Sequence, residues 1–146
     1  MTVELFDAQG ERALGVATAT VLIEPETFLV DGAQTPLNKK ISDWLGTHAS
    51  VSAVGIKFGK FTDGRACSLA ARLREAGYTG QLHAFGDITQ DLIFLLRRVG
   101  FTHFDLSGQG VQGIENAVVK PFGGHYQGAQ DGSLPWLGSD RGCNLR

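Results

Sequence analysis

Cysteine is scarce in this sequence: Cys67 and Cys143 are the only two, and they do not form a CxxC pair. This scarcity excludes a disulfide framework and a cysteine-based structural zinc site. An excess of one charge is also lacking, because the formal net charge is −2, so we expect no nucleic-acid partner. No apolar run approaches a membrane span in length, and the N-terminus lacks a basic stretch followed by an apolar core. We therefore expect a cytoplasmic protein without a membrane partner.

Short apolar segments alternate with amphipathic ones in the middle of the chain. The predicted strands and helices alternate, in chain order, as strand 54–58, helix 63–76, strand 81–85, helix 88–99 and strand 102–106. Such alternation is typical of an α/β protein with a parallel sheet. We predict one domain over residues 1–122, with a βαβαβ core at about 53–107. Its sheet of βα repeats should resemble a partial TIM barrel or a flavodoxin-like layer.

The flanks of this core carry weaker signals. The predictions there are a β-hairpin at 1–14, a strand at 19–23, an irregular stretch at 27–36, a short helix at 38–46, a second short helix at 114–122 and a partly mobile tail at 123–146. The hairpin rests on apolar alternation followed by the turn-forming residues Asp7 to Gly10. The tail prediction rests on a composition rich in glycine, aspartate, serine and glutamine.

Both central helices have an apolar face and recognisable ends. The first should bury Ala66, Leu69, Ala70 and Leu73, and the second Ile88, Leu92, Leu95, Leu96 and Val99. Thr62 or Asp63 is the expected N-cap of the first helix, and Asp87 with Gln90 fits a capping box for the second. Gly77 and Gly100 are the expected stops. Residues 73–79 also echo residues 96–102, so each βα unit should close in the same way.

Charged residues gather where the first predicted strand meets its helix. Because the carboxyl ends of parallel strands share one edge of a sheet, the loop of the next unit should lie beside them. The candidate ligand-binding residues are Lys60, Asp63, Gly64, Arg65, Ser68, Gly86 and Asp87. Free amides at a helix start, together with Arg65, favour a phosphate, sulfate or carboxylate ligand. The alternative is structural: Asp63 caps the helix, Gly64 shapes the turn, and Arg65 pairs with a carboxylate such as Asp87.

Other patterns are less specific. Asp87 has the chemistry of a general base or a ligand-orienting group, or it is simply an N-cap. Residues 108–113 spell GxGxxG, but no strand follows to complete a dinucleotide-binding unit, so a plain loop is the alternative. His83, His103 and Asp105 would share one sheet face if the register allows, but without a further ligand we predict no metal site.

The motifs of the core resemble a known family. Residues 60–65, 68–74, 86–87 and 96–101, with Asp91, are similar to an uncharacterised bacterial family, DUF934. Its members are often labelled as oxidoreductases of sulfite reduction, a label that reflects frequent neighbourhood with sulfite reductase genes. The resemblance covers about 52–106 well, and its run of residue types spans both predicted βα units.

This resemblance implies an accessory or binding protein of sulfur assimilation, with sulfite reductase or another sulfur-assimilation protein as its partner. The alternative is an enzyme, an oxidoreductase or lyase-like protein, that uses Asp63, Arg65 and Asp87. The chain carries no recognisable redox-cofactor motif, so we expect no cofactor of its own. A flavin, haem or iron–sulfur centre would then belong to the partner. Because the edges of a small sheet need cover, we also expect a homo-oligomer, most simply a two-fold dimer.

Overall fold

The computed structural model of the chain describes residues 5–7, 21–30, 35–48, 50–106 and 129–130. Its elements are β1 (Leu5–Asp7), β2 (Val21–Ile23), α1 (Pro25–Val30), α2 (Leu37–His48), β3 (Ala53–Phe58), α3 (Gly64–Glu75), β4 (Gln81–Gly86), a 3-10 turn (Gln90–Leu92), α4 (Ile93–Arg98) and β5 (His103–Asp105). The predicted α/β fold is confirmed, and so are all three core strands. Within these ranges no helix is both long and apolar enough to cross a membrane.

The described strands form one sheet in the order β1-β5-β4-β3-β2. The strands from β2 to β5 are parallel and lie in sequence order, whereas β1 joins β5 in the antiparallel sense. A parallel sheet whose neighbours follow chain order corresponds to the barrel-like alternative, because a doubly wound sheet reverses its order at a switch point. The carboxyl ends of the four parallel strands therefore meet at one edge.

The core lies on the sheet face against which the helices pack. Register aligns Ile23, Ile56, Ala84 and Phe104 in one row across the four parallel strands, and each is at most 5% exposed. The matching row on the opposite face contains Leu22, Gly55, His83 and His103. Leu22, on the edge strand, is 63% exposed, whereas both histidines are buried. The second face is therefore covered over β4 and β5 and open at β2.

α3 has the face that its apolar spacing predicts. Its buried residues are Ala66, Leu69, Ala70 and Leu73, each fully removed from solvent. The Asp63 side chain accepts a hydrogen bond from the Arg65 amide, so Asp63 rather than Thr62 is the N-cap. These four side chains fill the space between α3 and the sheet, and apolar burial of this kind is the main favourable term of the fold.

Both βα units close with the same motif, as the internal repeat predicts. Gly77 and Gly100 have φ of 95° and 109°, the left-handed conformation that glycine tolerates best. In the first unit the Tyr78 amide donates to the Leu73 carbonyl at 3.0 Å, and in the second the Phe101 amide donates to Leu96 at 3.1 Å. These six-to-one hydrogen bonds define a Schellman ending. The aromatic residue that follows each glycine is buried.

The second helix differs from its prediction at the start. Instead of a continuous helix from Ile88, the chain forms an extended segment, a single 3-10 turn and then α4. The predicted capping box is wrong, because the Asp87 carboxylate accepts a hydrogen bond from the Phe61 amide in the preceding loop. The predicted apolar face is also partly wrong: Leu95 is 49% exposed, and Ile93 is buried in its place. Leu96 is 1% exposed, as predicted.

The flanks contain one further correction. The stretch 27–36 was expected to be irregular, but its first residues belong to α1, which begins at the buried Pro25. Proline at the start of a helix supplies a suitable φ and lacks only an amide that would be unpaired there. The predicted helix at 38–46 is confirmed as the longer α2.

The remaining expectations for the flanks fall largely outside the described residues. Of the predicted hairpin, only β1 is described, and it pairs with β5. The helix at 114–122 and the GxGxxG segment lie outside the described ranges. Of the tail, residues 129–130 are described, and the Gln130 amide donates to the Arg98 carbonyl at 2.9 Å.

Candidate functional site

A pocket of about 320 Å³ lies at the carboxyl edge of the sheet, between the end of β3 and the start of α1. Its lining consists of Glu26, Gly59, Lys60, Thr62, Asp63 and Arg65. Lys60, Asp63 and Arg65 are three of the residues that the sequence places in a ligand site. Glu26 is the residue that sequence reasoning missed. Its only signal is an acidic position just after a strand, and that signal has meaning only once β2 is known to lie beside β3.

The Arg65 guanidinium is held by two carboxylates. Its Nε and Nη2 donate to Asp63 at 2.9 and 3.0 Å, and Nη2 also donates to Glu26 Oε1 at 2.7 Å. The pairing that sequence reasoning offered, with Asp87, is therefore wrong. The hydrogen bonds that Arg65 donates to Asp63 and then to Glu26 raise the pKa of Arg65 above its usual value, so this group stays charged at any ordinary pH.

The two carboxylates differ in how firmly they are fixed. The Asp63 side chain is 10% exposed, and Oδ1 also accepts the Arg65 amide at 3.0 Å as the helix cap. Hydrogen bonds from the Arg65 side chain and then its amide lower the pKa of Asp63. The Glu26 side chain is 68% exposed and makes its bond to Arg65 from a different element, α1. Asp63 therefore belongs to the framework of the site, whereas Glu26 is attached by an exposed ion pair.

Lys60 supplies a second positive charge to the pocket. It is exposed and forms no ion pair with any residue of the described ranges. Lys57, three residues earlier, is different, because its Nζ donates to Glu24 at 2.8 Å and this pairing raises the Lys57 pKa. Lys60 is thus the cation at this edge that the described part of the chain leaves available to a ligand.

Asp87 joins the two neighbouring loops without lining the pocket. Gly86 has φ of 100°, and a Cβ built on it would lie 2.4 Å from the Phe58 carbonyl oxygen, so a side chain there would collide with β3. The turn at Gly86 lets the Asp87 amide donate to the same carbonyl at 3.0 Å. Asp87 Oδ2 then accepts from the Phe61 amide at 3.2 Å. Asp87 therefore stabilises the backbone of the loop between β3 and α3.

Two other predicted site residues, Gly64 and Ser68, do not line the pocket. Gly64 starts α3 with no positive φ, and a Cβ there would meet nothing within 4 Å, so the expectation that glycine shapes this turn is wrong. Ser68 is exposed on α3 and does not line the pocket.

The histidines of the sheet do come together, as the shared-face argument requires. His83 and His103 are register partners with ring centroids 4.8 Å apart. Burial, and then the neighbouring His103, lower the pKa of His83 to about 4, against a smaller opposing effect of Asp105. Among the described residues no group of three or more histidine, cysteine, aspartate or glutamate side chains is placed to hold a metal ion.

A second concavity, of about 490 Å³, lies at the opposite edge of the sheet. It is lined by residues of the segments that precede β3 and β4, and no charged side chain is among them. Its Tyr78 hydroxyl donates to the Val51 carbonyl at 3.1 Å. Charge therefore distinguishes the pocket at the carboxyl edge as the candidate site.

Comparison with known families identifies the chain. The model of a family of bacterial proteins of unknown function, DUF934, matches residues 32–137, which is more than half of the sequence. The chain belongs to this family, as the core motifs predict. No curated protein and no solved structure matches the chain significantly.

Proposed function

We propose that this protein is an accessory binding protein of sulfur assimilation, associated with sulfite reduction, that holds a small oxyanion at the carboxyl edge of its sheet. The observation that carries the proposal is the pocket in which Lys60 and Arg65 face a common space beside Gly59 and Thr62. Arginine recognises oxyanions through paired N–H donors, and a nearby lysine adds charge. The link to sulfite reduction rests on the resemblance of the core motifs alone.

Anion binding at this site should be weak, and its affinity should fall as the salt concentration rises. Asp63 and Glu26 already accept hydrogen bonds from Nε and Nη2 of Arg65, so an anion that binds through two guanidinium nitrogens competes with Glu26 for Nη2. Exposed charges are also screened at moderate ionic strength. Binding should therefore be measured in a buffer of low ionic strength.

Calorimetry with sulfite, sulfate and phosphate tests the site. The wild type should bind at least one of these anions, Arg65→Lys should bind it more weakly, and Arg65→Ala should not bind it. Lysine retains the charge but cannot reproduce the two-donor geometry of a guanidinium. Arg72→Ala is the matched control, because Arg72 lies on the exposed face of the same helix and pairs with Glu75, away from the pocket. Equal binding by all of these proteins, or none by the wild type up to millimolar anion, would contradict the proposal.

A protein partner at the same edge is part of the proposal. Phe61 is 59% exposed at the tip of the loop between β3 and α3, and its amide is held by Asp87. An exposed aromatic residue beside a charged pocket is a common feature of protein interfaces. Co-purification from the native host should recover sulfite reductase or another sulfur-assimilation protein with the wild type, and less of it with Phe61→Ala. Leu95→Ala, which truncates an exposed apolar side chain on α4, is the control.

An enzyme that uses Asp63, Arg65 and Asp87 is the alternative function. The contacts favour binding, because Asp63 holds Arg65 and caps α3, and Asp87 supports the Phe61 amide. The two proposals differ in a simple measurement. A chromophore that co-purifies with the chain, or turnover of sulfite that is lost in Asp87→Asn, would favour the enzyme.

We further propose that the chain forms a homo-oligomer, most simply a two-fold dimer. β2 is an edge strand of the described sheet and carries Leu22 with 63% of its surface exposed. Light scattering at micromolar concentration should give twice the monomer mass, and Leu22→Lys should reduce it if this edge takes part. A monomer mass for the wild type would contradict the proposal.

A further inference from the structure

We infer that Glu26 is a built-in competitor, which holds the ligand's place on Arg65 and keeps the affinity of the pocket for an oxyanion low. This inference rests on the proposed oxyanion site and adds to it the way in which its affinity is set. It follows from the position of one carboxylate, the difference between that carboxylate and Asp63, and the balance of charge.

The Glu26 carboxylate is part of the pocket wall. Oε1 accepts from Arg65 Nη2 at 2.7 Å, and a Cβ built on Gly59 would lie 4.0 Å from the same oxygen. Glu26 and Gly59 both belong to the pocket lining. An anion oxygen that reached this Arg65 nitrogen from the pocket would therefore occupy the position where Glu26 Oε1 now lies.

Of the two carboxylates that bind Arg65, Glu26 is the one that can move away from it. Asp63 is almost buried and accepts three hydrogen bonds from Arg65, two from the side chain and one from the amide. Glu26 is more than two-thirds exposed, and its one described hydrogen bond is the one to Arg65. Rotation of the Glu26 side chain into solvent therefore frees an Arg65 donor without disturbing the cap of α3.

α1 itself need not move when Glu26 rotates. The helix is anchored by Pro25, which is buried, and by Phe28, which packs against the core. Its approach from β2 is also fixed by the Glu24–Lys57 ion pair at 2.8 Å. The competitor is thus a side chain on a fixed support.

Glu26 also affects the charge of the pocket. With Glu26 in place, the two carboxylates Glu26 and Asp63 balance the two cations Lys60 and Arg65. When Glu26 turns outward, Lys60 and Arg65 exceed Asp63 by one positive charge, which attracts an anion. Glu26 therefore opposes anion binding through its charge as well as through its position.

The experiment compares the wild type with Glu26→Gln, using nitrate, formate and sulfate at matched low ionic strength. Glutamine keeps the size of the side chain and removes the charge that competes. Exposed ion pairs contribute little each, so Glu26→Gln should bind these anions roughly 1.5- to 5-fold more tightly than the wild type. Glu75→Gln is the matched control, because Glu75 also pairs with an arginine of α3, at 2.8 Å, and is also exposed.

The outcomes separate this inference from the function on which it rests. If the wild type binds an anion and Arg65→Ala does not, but Glu26→Gln binds no more tightly, the oxyanion site stands and the competitor is overturned. If neither the wild type nor Glu26→Gln binds any anion, the oxyanion site fails and this inference fails with it. An equal gain in Glu75→Gln would assign the effect to overall charge and overturn the role of Glu26.

Discussion

The two βα units of the core differ at the start of their helices. In the first, Asp63 caps α3, and a regular helix of 12 residues follows. In the second, Asp87 turns to the Phe61 amide of the other loop, and an extended segment and a 3-10 turn precede an α-helix of 6 residues. An aspartate before a helix binds whichever unpaired amide the fold brings within reach, and an N-cap is only the nearest local choice.

The ends of the same two helices are alike. Each has a Schellman hydrogen bond, a glycine with positive φ and a buried aromatic residue. This similarity follows from local chemistry, because only glycine adopts the left-handed conformation without strain and the next residue then points back into the core. The comparison therefore separates ends that the local sequence specifies from starts that depend on contacts between units.

The largest expected effect tests whether the two endings are equivalent in the core. Leu73 and Leu96 hold the same place in the two motifs and are at most 1% exposed. Leu73→Ala and Leu96→Ala should each lower the free energy of unfolding by about 2–5 kcal/mol, through lost apolar contact and the cavity left behind. Denaturant unfolding measures both. Leu95→Ala, at a half-exposed position, is the control and should change stability by no more than about 0.5 kcal/mol. A loss well under about 1 kcal/mol for Leu96→Ala would contradict the buried face of α4.

The next effect concerns acid sensitivity in the second unit. His83 is 3% exposed, and burial with the nearby His103 lowers its pKa to about 4, from an ordinary value of 6.5. Between these values the unfolded chain binds a proton that the native chain does not. As the pH falls from about 6.5 to about 4, the free energy of unfolding should therefore decrease by roughly 2–4 kcal/mol. Above this window His83 is neutral in both states, and the protein keeps its full stability. His83→Gln should show a flatter profile. An NMR titration of the His83 ring with a midpoint near the ordinary value would contradict this prediction.

A smaller effect should distinguish the two helix-ending glycines. A Cβ on Gly77 would meet nothing within 4 Å, whereas one on Gly100 would lie 2.6 Å from Arg74 Cγ. Gly77→Ala should cost only the left-handed backbone, about 1–2 kcal/mol. Gly100→Ala should cost more, because Arg74, whose Nε and Nη2 donate to the Gly100 carbonyl, must shift. Thermal unfolding of both variants measures the difference. Equal losses would mean that Arg74 adjusts freely and that the two endings are equivalent after all.

The smallest effect tests the two starts. Asp63→Ala should destabilise by about 0.5–2 kcal/mol through loss of the cap, and circular dichroism should show reduced helix. Asp87→Ala should cost about 0.5–1.5 kcal/mol through loss of the bond to Phe61, without a change in helix content. Equal loss of helix in both variants would contradict the separate roles of the two aspartates.

Asp63 should also make the free energy of unfolding depend on pH. Arg65 lowers the pKa of Asp63. The stability that Asp63 contributes is therefore fully present above the pKa of an unfolded aspartate, about 4, and it is lost as the pH falls through the lowered pKa. Asp63→Asn keeps a capping side chain and should lose less stability in acid than the wild type. This window lies below that of His83, so the two groups can be separated in one acid titration.

The candidate site was only partly predictable. Lys60, Asp63 and Arg65 lie close together in the sequence, where the loop after β3 leads into α3, so the sequence alone places them together. Glu26 lies 39 positions before Arg65 and reaches it only because β2 pairs with β3 in parallel. Asp87 was expected to serve its own helix or Arg65, and its true partner, the Phe61 amide, carries no side-chain signal at all.

By itself, the sequence determined the alternation of strands and helices, the buried face of α3, both helix endings and the family. Each of these depends on the periodicity or the backbone preference of residues close together in the chain. The tertiary structure decided the strand order, the start of the second helix, the exposure of Leu95 and the partners of Arg65 and Asp87. Those features depend on which distant segments share an edge of the sheet, and the periodicity within one segment carries no information about that. The partner of an exposed carboxylate such as Glu26 or Asp87 is the N–H donor that the packing of the strands brings within reach.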